Sequence, residues 1–215
     1  MACWAAGGVG RCRQRYSCLG VDTVPQDLDA AEIAHYFTPV PEIETLLATR
    51  RSPELRLGLI LHAGFLRMTG RFLPALDRVG PEVLAFAARG ANVQTPQIAT
   101  LRSIYRRPKT LFEHQRLAVE ALGFREASDH NLRGLTAHLR RQAGIRSHRQ
   151  ELIEDACRWL HDRGFILPGR RVIADHAVAA ENVFLRKLMH RIEKAVRQGA
   201  AEGGRIKPRS AISLN

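Results

Sequence analysis

The chain has 215 residues, 45% of them hydrophobic, with a formal net charge of +12 and a pI near 10.7. This length permits one large domain or two small ones, and the hydrophobic fraction is sufficient for a core. No apolar run approaches the roughly 18 residues of a membrane span, and the first residues lack the apolar centre of a signal peptide, so we expect a soluble, cytoplasmic protein with no membrane partner.

Apolar spacing and capping residues predict an all-α protein. Residues 1–26 show no periodicity, and we interpret them as a disordered or non-native extension. Residues 27–196 are predicted to form a multi-helix bundle with a helix-turn-helix-like unit, and residues 197–215 a disordered tail. The predicted helices occupy about residues 30–37, 41–49, 53–69, 81–88, 96–105, 110–122, 129–143, 148–163 and 171–196.

Particular side chains predict where helices begin and where they pack closely. Asp29 and Ser128 are suitable N-caps for the first and seventh helices, and Thr110 with Glu113 has the spacing of a capping box for the sixth. Two glycines, Gly58 and Gly64, fall inside the third helix, where each costs ~1 kcal/mol relative to alanine. We therefore expect another element to approach that helix closely at both positions.

The basic residues are mainly arginines, whose planar guanidinium groups suit phosphate oxygens and guanine edges. Residues 101–150 contain eleven Lys/Arg but only four Asp/Glu. The seventh helix, its turn and the eighth helix have the size of a helix-turn-helix unit, which places a basic helix against a DNA groove. The predicted DNA-binding residues in this unit are Arg133, Arg140, Arg141, Arg146 and Arg149. The alternative is a solvated helical hairpin with surplus arginine.

Two further basic groups lie earlier in the chain. Arg106, Arg107 and Lys109 surround the break before the sixth helix and are also predicted to bind DNA. Another group comprises Arg50, Arg51, Arg56, Arg67 and Arg71. In that group Arg56 and Arg67 are candidates to brace the fold instead, because their alkyl stems can pack beside an apolar helix face.

The sequence offers no catalytic or metal-binding motif. The acid–imidazole neighbours Glu113–His114 and Asp129–His130 are adjacent on predicted helices and therefore point apart. The four cysteines form no CxxC pair and are not followed by histidines at zinc spacing. His62 is expected to be a hydrogen-bonded core residue, and Trp159 a core residue. We expect no catalytic residue, no metal and no cofactor.

Several short motifs occur in the order found in one protein family. They are Arg50-Arg51, Arg56-Leu57-Gly58, Leu66-Arg67-Met68-Thr69-Gly70-Arg71, Tyr105 with Thr110, Glu113 and His114, Leu122-Gly123-Phe124, and Ile166-Leu167-Pro168-Gly169. Together they span about residues 30–196, and the chain resembles the N-terminal domain of Tn3-family transposases. It departs from that family at Leu55, where an asparagine is frequent, and at both ends.

The resemblance implies a helical, non-catalytic module that recognises the terminal inverted repeats of a transposon. It also implies that strand cleavage belongs to a separate metal-dependent domain with an acidic triad, which we expect this chain to lack. The expected partners are double-stranded DNA at transposon ends and other transposase chains or domains, with a nucleoid-associated location. The alternatives are a helical protein-interaction module or a non-functional transposase remnant.

Overall fold

A computed structural model of the protein describes residues 18–76, 79–106, 108–146 and 148–203. These residues confirm the all-α fold. Besides the helices, they contain one isolated β-bridge, between Arg125 and Phe165. In this part of the chain none of the helices has the length and hydropathy of a membrane span. The helices are α1 (Ala30–Phe37), α2 (Pro41–Thr49), α3 (Pro53–Thr69), α4 (Pro81–Gly90), α5 (Ile98–Ile104), α6 (Pro108–Leu122), α7 (Asp129–Gln142), α8 (Arg149–His161) and α9 (Arg170–Gly203).

Local capping explains most helix starts. Asp29 and Ser128 each accept a hydrogen bond from the backbone three residues later, and both form complete capping boxes. The capping box predicted from Thr110 and Glu113 is wrong, because α6 already begins at Pro108 and includes both residues. Pro108 favours a helix start because its ring fixes the backbone angle at the first helical position. The Glu113 carboxylate does not cap the helix but accepts a hydrogen bond from Arg50.

Helix α3 is the centre of a first hydrophobic cluster, formed by α1 to α6. From Leu57 onward α3 is buried on nearly every side, which requires small residues where neighbours cross it. A Cβ at Gly58 would overlap the Tyr105 hydroxyl, and one at Gly64 would overlap the Phe37 ring. The close approach expected at both glycines is therefore confirmed.

One arginine of the early basic group braces the fold, as the sequence predicted, but through its guanidinium group and not only through its alkyl stem. The Arg67 guanidinium donates hydrogen bonds of 2.8–2.9 Å to the backbone carbonyls of His35, Tyr36 and Thr38. It thereby satisfies the carbonyls at the end of α1 and ties that helix to α3. For Arg56, no hydrogen-bond partner of the buried Nε is found among the described residues, so the bracing role is confirmed only for Arg67.

Helices α7, α8 and α9 form a second hydrophobic cluster. Leu135 and Leu139 of α7 are fully buried against this cluster, together with Ala156 and Leu160 of α8 and Ala177 of α9. The two clusters are joined where the backbone N–H of Leu167 donates to the Gly70 carbonyl at 2.8 Å. Arg71 adds a hydrogen bond of 2.9 Å to the Pro168 carbonyl. The C-terminal cluster is thus held directly on the end of α3.

The predicted ends of the domain differ from the structure. Residues 18–26 were assigned to an extension, yet Cys18 and Val24 are buried in the first cluster, and the Gly20 N–H donates to the Thr69 carbonyl. Helix α9 continues through residues 197–203, which were assigned to a disordered tail. Local periodicity did not indicate either segment, because tertiary contacts hold residues 18–26 and α9 simply continues through residues 197–203. Residues 1–17 and 204–215 lie outside the described part of the chain.

Candidate nucleic-acid interface

The outward face of α7 brings together three of the predicted DNA-binding arginines. All three, Arg133, Arg140 and Arg141, are exposed, and Arg133 lies seven and eight residues before the other two, which is about two helical turns. No ion pair of these three is found among the described residues. They therefore present fixed positive charge to solvent along about 11 Å of helix.

Small residues lie between these arginines on the same face. Gly134 and Ala137 are exposed at helical spacing from Arg133 and Arg140, and His130 precedes them one turn earlier. The Trp159 ring of α8 borders Gly134, 3.6 Å from where a Cβ would lie, so the face can approach a phosphate backbone or a groove most closely at Ala137. Gly134, Ala137 and His130 were not among the predicted interface residues, although their spacing of three and four indicates a shared face.

The inward side of α7 fixes the direction of this face. The Thr136 hydroxyl lies 2.7 Å from Nδ1 of His176 on α9, which ties the middle of α7 to α9. After the helix ends, a Cβ at Gly144 would lie only 2.8 Å from a ring carbon of Phe184. These contacts hold α7 rigidly, so its exposed arginines occupy a defined surface.

The two remaining arginines of the unit have acidic partners. Arg146, in the turn, donates from Nε and from a terminal nitrogen to the two carboxylate oxygens of Asp155, at 2.8 and 3.1 Å. Arg149 contacts Glu181 of α9 at 2.7 Å. Asp155 is buried and also accepts from Arg158, so these contacts join the turn, α8 and α9. Arg146 and Arg149 are therefore paired with carboxylates, although both side chains remain exposed.

The connection between α7 and α8 is longer than the turn of a DNA-binding helix-turn-helix unit. Residues 143–148 separate the helices, whereas such units use three or four residues. Helix α8 exposes Arg149 and Glu154 and therefore carries mixed charge. Of the two helices, α7 is the one whose surface suits a polyanion.

The second predicted group lies in the other cluster. Arg106 follows α5, and Lys109 lies in the first turn of α6; both are exposed, whereas Arg107 lies outside the described residues. A lysine in the first turn is unfavourable for the helix dipole, so its charge is not explained by helix stability. Arg106 and Lys109 lie at the junction of α5 and α6, which both pack against α3, whereas α7 belongs to the second cluster.

Three rings form a buried polar cluster behind the start of α6. Nδ1 of His114 lies 2.6 Å from the Tyr105 hydroxyl, and the rings of His62 and Tyr105 meet edge to face. His62 is only 2% exposed, and neither of its ring nitrogens has a hydrogen-bond partner among the described residues. The prediction of a core histidine is confirmed, but the predicted hydrogen bond is absent from the described structure.

Burial determines the protonation of this cluster. Desolvation lowers the pKa of His62 to about 3, with a smaller contribution from the nearby His114. Desolvation, followed by the charge of Arg50, lowers the pKa of His114 to about 4. Burial also raises the pKa of Tyr105. All three side chains are therefore neutral near pH 7, which suits an interior position.

The described residues contain no group of three or more His, Cys, Asp or Glu side chains that could hold a metal ion. The neighbours Glu113 and His114 point to different partners, as predicted, because Glu113 pairs with Arg50 while His114 contacts Tyr105. A divalent ion of the kind used in strand cleavage therefore does not fit this part of the chain.

Comparison with known proteins adds an independent finding. Residues 18–180 match a family described as a domain of unknown function, DUF4158. A curated relative, the transposase for insertion sequence element IS1071 in transposon Tn5271 of Comamonas testosteroni, is 34% identical over 163 residues. The match covers 75% of this chain but 17% of the relative. The resemblance to transposases inferred from short motifs is therefore confirmed.

Proposed function

The chain belongs to the DUF4158 family, and from this premise we propose that it is a non-catalytic DNA-binding domain of a Tn3-family transposase. Its ligand is double-stranded DNA at the terminal inverted repeats of a transposon. The observation that carries this proposal is the exposed face of α7, where Arg133, Arg140 and Arg141 flank two small residues.

Charge and shape both support α7 as the DNA-contacting helix. Its 14 residues are about 21 Å long, and the major groove is about 12 Å wide, so the helix can lie in the groove with one face. An arginine at either end of the face can reach phosphates, while the small centre allows the helix to sit deeply. Arg146 and Arg149 keep the face in place through Asp155 and Glu181.

Arg106 and Lys109, with Arg107, form a second region of DNA contact in this proposal. Two separated basic regions suit a long recognition element better than one helix does, because each adds phosphate contacts and orients the duplex. The location that follows from this function is the nucleoid. Other transposase chains or domains are the protein partners, since the relative is about six times longer than the matched segment.

The proposed role excludes strand chemistry from this segment. The side chains that would bind a catalytic divalent ion are not brought together in the described residues, and no step of cleavage is assigned to them. The module instead selects and orients DNA for chemistry performed elsewhere in a transposase. Specificity comes from base contacts of α7, and the arginine–phosphate contacts supply most of the affinity.

The test is a salt series with the full chain and two duplexes, one carrying the terminal inverted repeat of the relative's element and one of scrambled order. Each lost phosphate contact should reduce the slope of log affinity against log salt by about 0.9 and weaken binding about eightfold at 0.1 M salt. The triple substitution Arg133→Ala, Arg140→Ala, Arg141→Ala should therefore reduce the slope by nearly three. Fluorescence anisotropy measures both quantities.

The substitution Arg51→Ala is the control for a single lost charge, to be compared with Arg133→Ala alone. Arg51 is exposed in the loop between α2 and α3, so the substitution removes a positive charge away from α7 and should leave the slope nearly unchanged. An equal slope for the triple variant and the unmodified chain would refute the role of α7. Equal affinity for both duplexes, with a normal salt slope, would refute recognition of the repeat and leave non-specific DNA binding.

A further inference from the structure

The second half of α9 carries an apolar stripe that the bundle does not cover. Helix α9 is 34 residues long, about 51 Å, and its first part packs against α7 and α8 through Ile173, Ala177 and Ala180. Beyond this contact the large apolar side chains are 38–64% exposed. They are Leu185, Leu188, Met189, Ile192 and Val196.

The spacing of these residues is that of a two-helix seam. Leu185, Leu188 and Ile192 occupy successive a and d positions of a heptad, and Met189 and Val196 widen the stripe by one position. At 100° per residue the five side chains cover an arc of about 100°, which is one helix face. The stripe contains no aromatic side chain and spans about 17 Å along the helix. A single apolar helix of matching length would cover it.

The rest of this segment is strongly basic. Residues 185–198 contain five arginines or lysines and one glutamate, a net charge of +4. They are Arg186, Lys187, Arg191, Glu193, Lys194 and Arg197. A second copy of α9 would therefore bring a further +4 against the same seam, and like charges beside a coiled-coil seam oppose pairing. An acidic helix would instead match both the apolar stripe and the charge.

We infer that the exposed half of α9 is a docking surface for an acidic amphipathic helix of another protein. The partner supplies leucine-like side chains at a and d positions and carboxylates at the flanking positions. This interaction is separate from the α7 face, because α7 packs against the first part of α9 and the stripe begins beyond that contact. It does not depend on the DNA-binding proposal.

Two other ligands fit the observations less well. DNA would accept the basic residues but would leave five large apolar side chains unburied. A membrane surface would accept both features, yet helices that bind the membrane interface typically carry Trp or Phe on a broader apolar face. The narrow aliphatic stripe favours a helix–helix seam.

The test uses the full chain and two synthetic helical peptides about three heptads long, with leucine and isoleucine at a and d. One peptide has glutamate at the flanking positions and the other has lysine. The acidic peptide should bind at least roughly tenfold more tightly than the basic one, and salt should weaken its binding. Isothermal titration calorimetry gives both affinities.

The substitution Ile192→Asp should abolish binding of the acidic peptide, since it places a carboxylate in the centre of the stripe. Phe112→Asp is the matched control, because Phe112 is 65% exposed on α6 and the substitution makes the same change of charge away from α9. Circular dichroism should show unchanged helix content for both variants, whose altered side chains are exposed.

Each alternative has a distinct result. Equal binding of both peptides, or binding of neither, would overturn the proposal. If sedimentation equilibrium showed that the chain self-associates and that Ile192→Asp abolishes this self-association, the stripe would bind a second copy of the chain instead. The proposal would also be overturned if the unmodified chain did not bind the acidic peptide but bound a DNA duplex or anionic vesicles, and if Ile192→Asp removed that binding. Loss of repeat recognition with intact peptide binding would refute only the DNA-binding proposal.

Discussion

The buried pair His62 and His114 should make this fold sensitive to mild acid. Burial lowers the pKa of His62 to about 3 and that of His114 to about 4, while an unfolded histidine titrates near 6.5. The unfolded chain therefore binds more protons than the native chain between these values. The stability that depends on keeping these two histidines neutral is fully present above the unfolded pKa. It is lost progressively as the pH falls below about 6.5.

The size of the loss follows from these pKa values. Between pH 7 and pH 4.5 each histidine should lower the free energy of unfolding by about 2.5 kcal/mol, or about 5 kcal/mol together. A domain of ordinary stability has only about 5–15 kcal/mol in total, so the chain should approach unfolding at pH 4.5. Urea denaturation followed by circular dichroism at half-unit pH steps measures this slope.

The variant His62→Leu isolates one histidine. It replaces two unpartnered buried nitrogens by an apolar side chain of similar size, so stability at pH 7 should be unchanged or higher by about 1 kcal/mol. Its stability should fall only about half as steeply with pH. Leu61→Ala, at a fully buried neighbouring position, should lose about 2–5 kcal/mol at every pH and keep the original slope. The same pH slope in His62→Leu and the unmodified chain would refute the reasoning.

Further predictions concern packing and the support of the α7 face. Arg67→Ala should lower stability by roughly 3–5 kcal/mol in urea denaturation, because three backbone carbonyls lose a charged donor; a loss below about 1 kcal/mol would contradict this role. Gly64→Ala should cost roughly 1–3 kcal/mol in the same assay, since the added methyl overlaps the Phe37 ring, and a more stable variant would show that the helix moves freely. Arg146→Ala should lower the melting temperature by several degrees through loss of its contact with Asp155, yet leave the salt slope of DNA binding nearly unchanged; a slope reduced by about 0.9 would instead identify Arg146 as a phosphate contact.

Local sequence rules located most elements of this fold. The predicted starts at Ala30, Pro41, Pro53 and Pro81 agree with the structure, because N-cap side chains and first-turn prolines act within a few residues. The same rules misplaced the start of α6. They predicted a start at the Thr110 capping box, whereas the helix begins at Pro108, two residues earlier. The glutamate of that predicted box, Glu113, pairs with Arg50 from 63 residues away. No local pattern indicates such a partner.

The candidate interface was only partly predictable for a related reason. Arg133, Arg140 and Arg146 look alike in the sequence, since each is a basic residue in or beside the same helix. In the structure all three are exposed, but Arg146 pairs with Asp155, whereas no ion pair of Arg133 or Arg140 is found among the described residues. The difference depends on how α8 folds back on the turn, which is a tertiary contact.

By itself, the sequence determined the all-helical class, the positions of the helices, the surplus of arginine and the relation to transposases. These properties depend on neighbouring residues, on composition and on the order of short motifs. The tertiary structure alone decided which arginines pair with acidic side chains, which rings approach Gly58 and Gly64, and that half of α9 is left uncovered. Those outcomes depend on contacts between residues that are far apart in the chain. The spacing of neighbouring residues predicts helix formation but does not predict such packing.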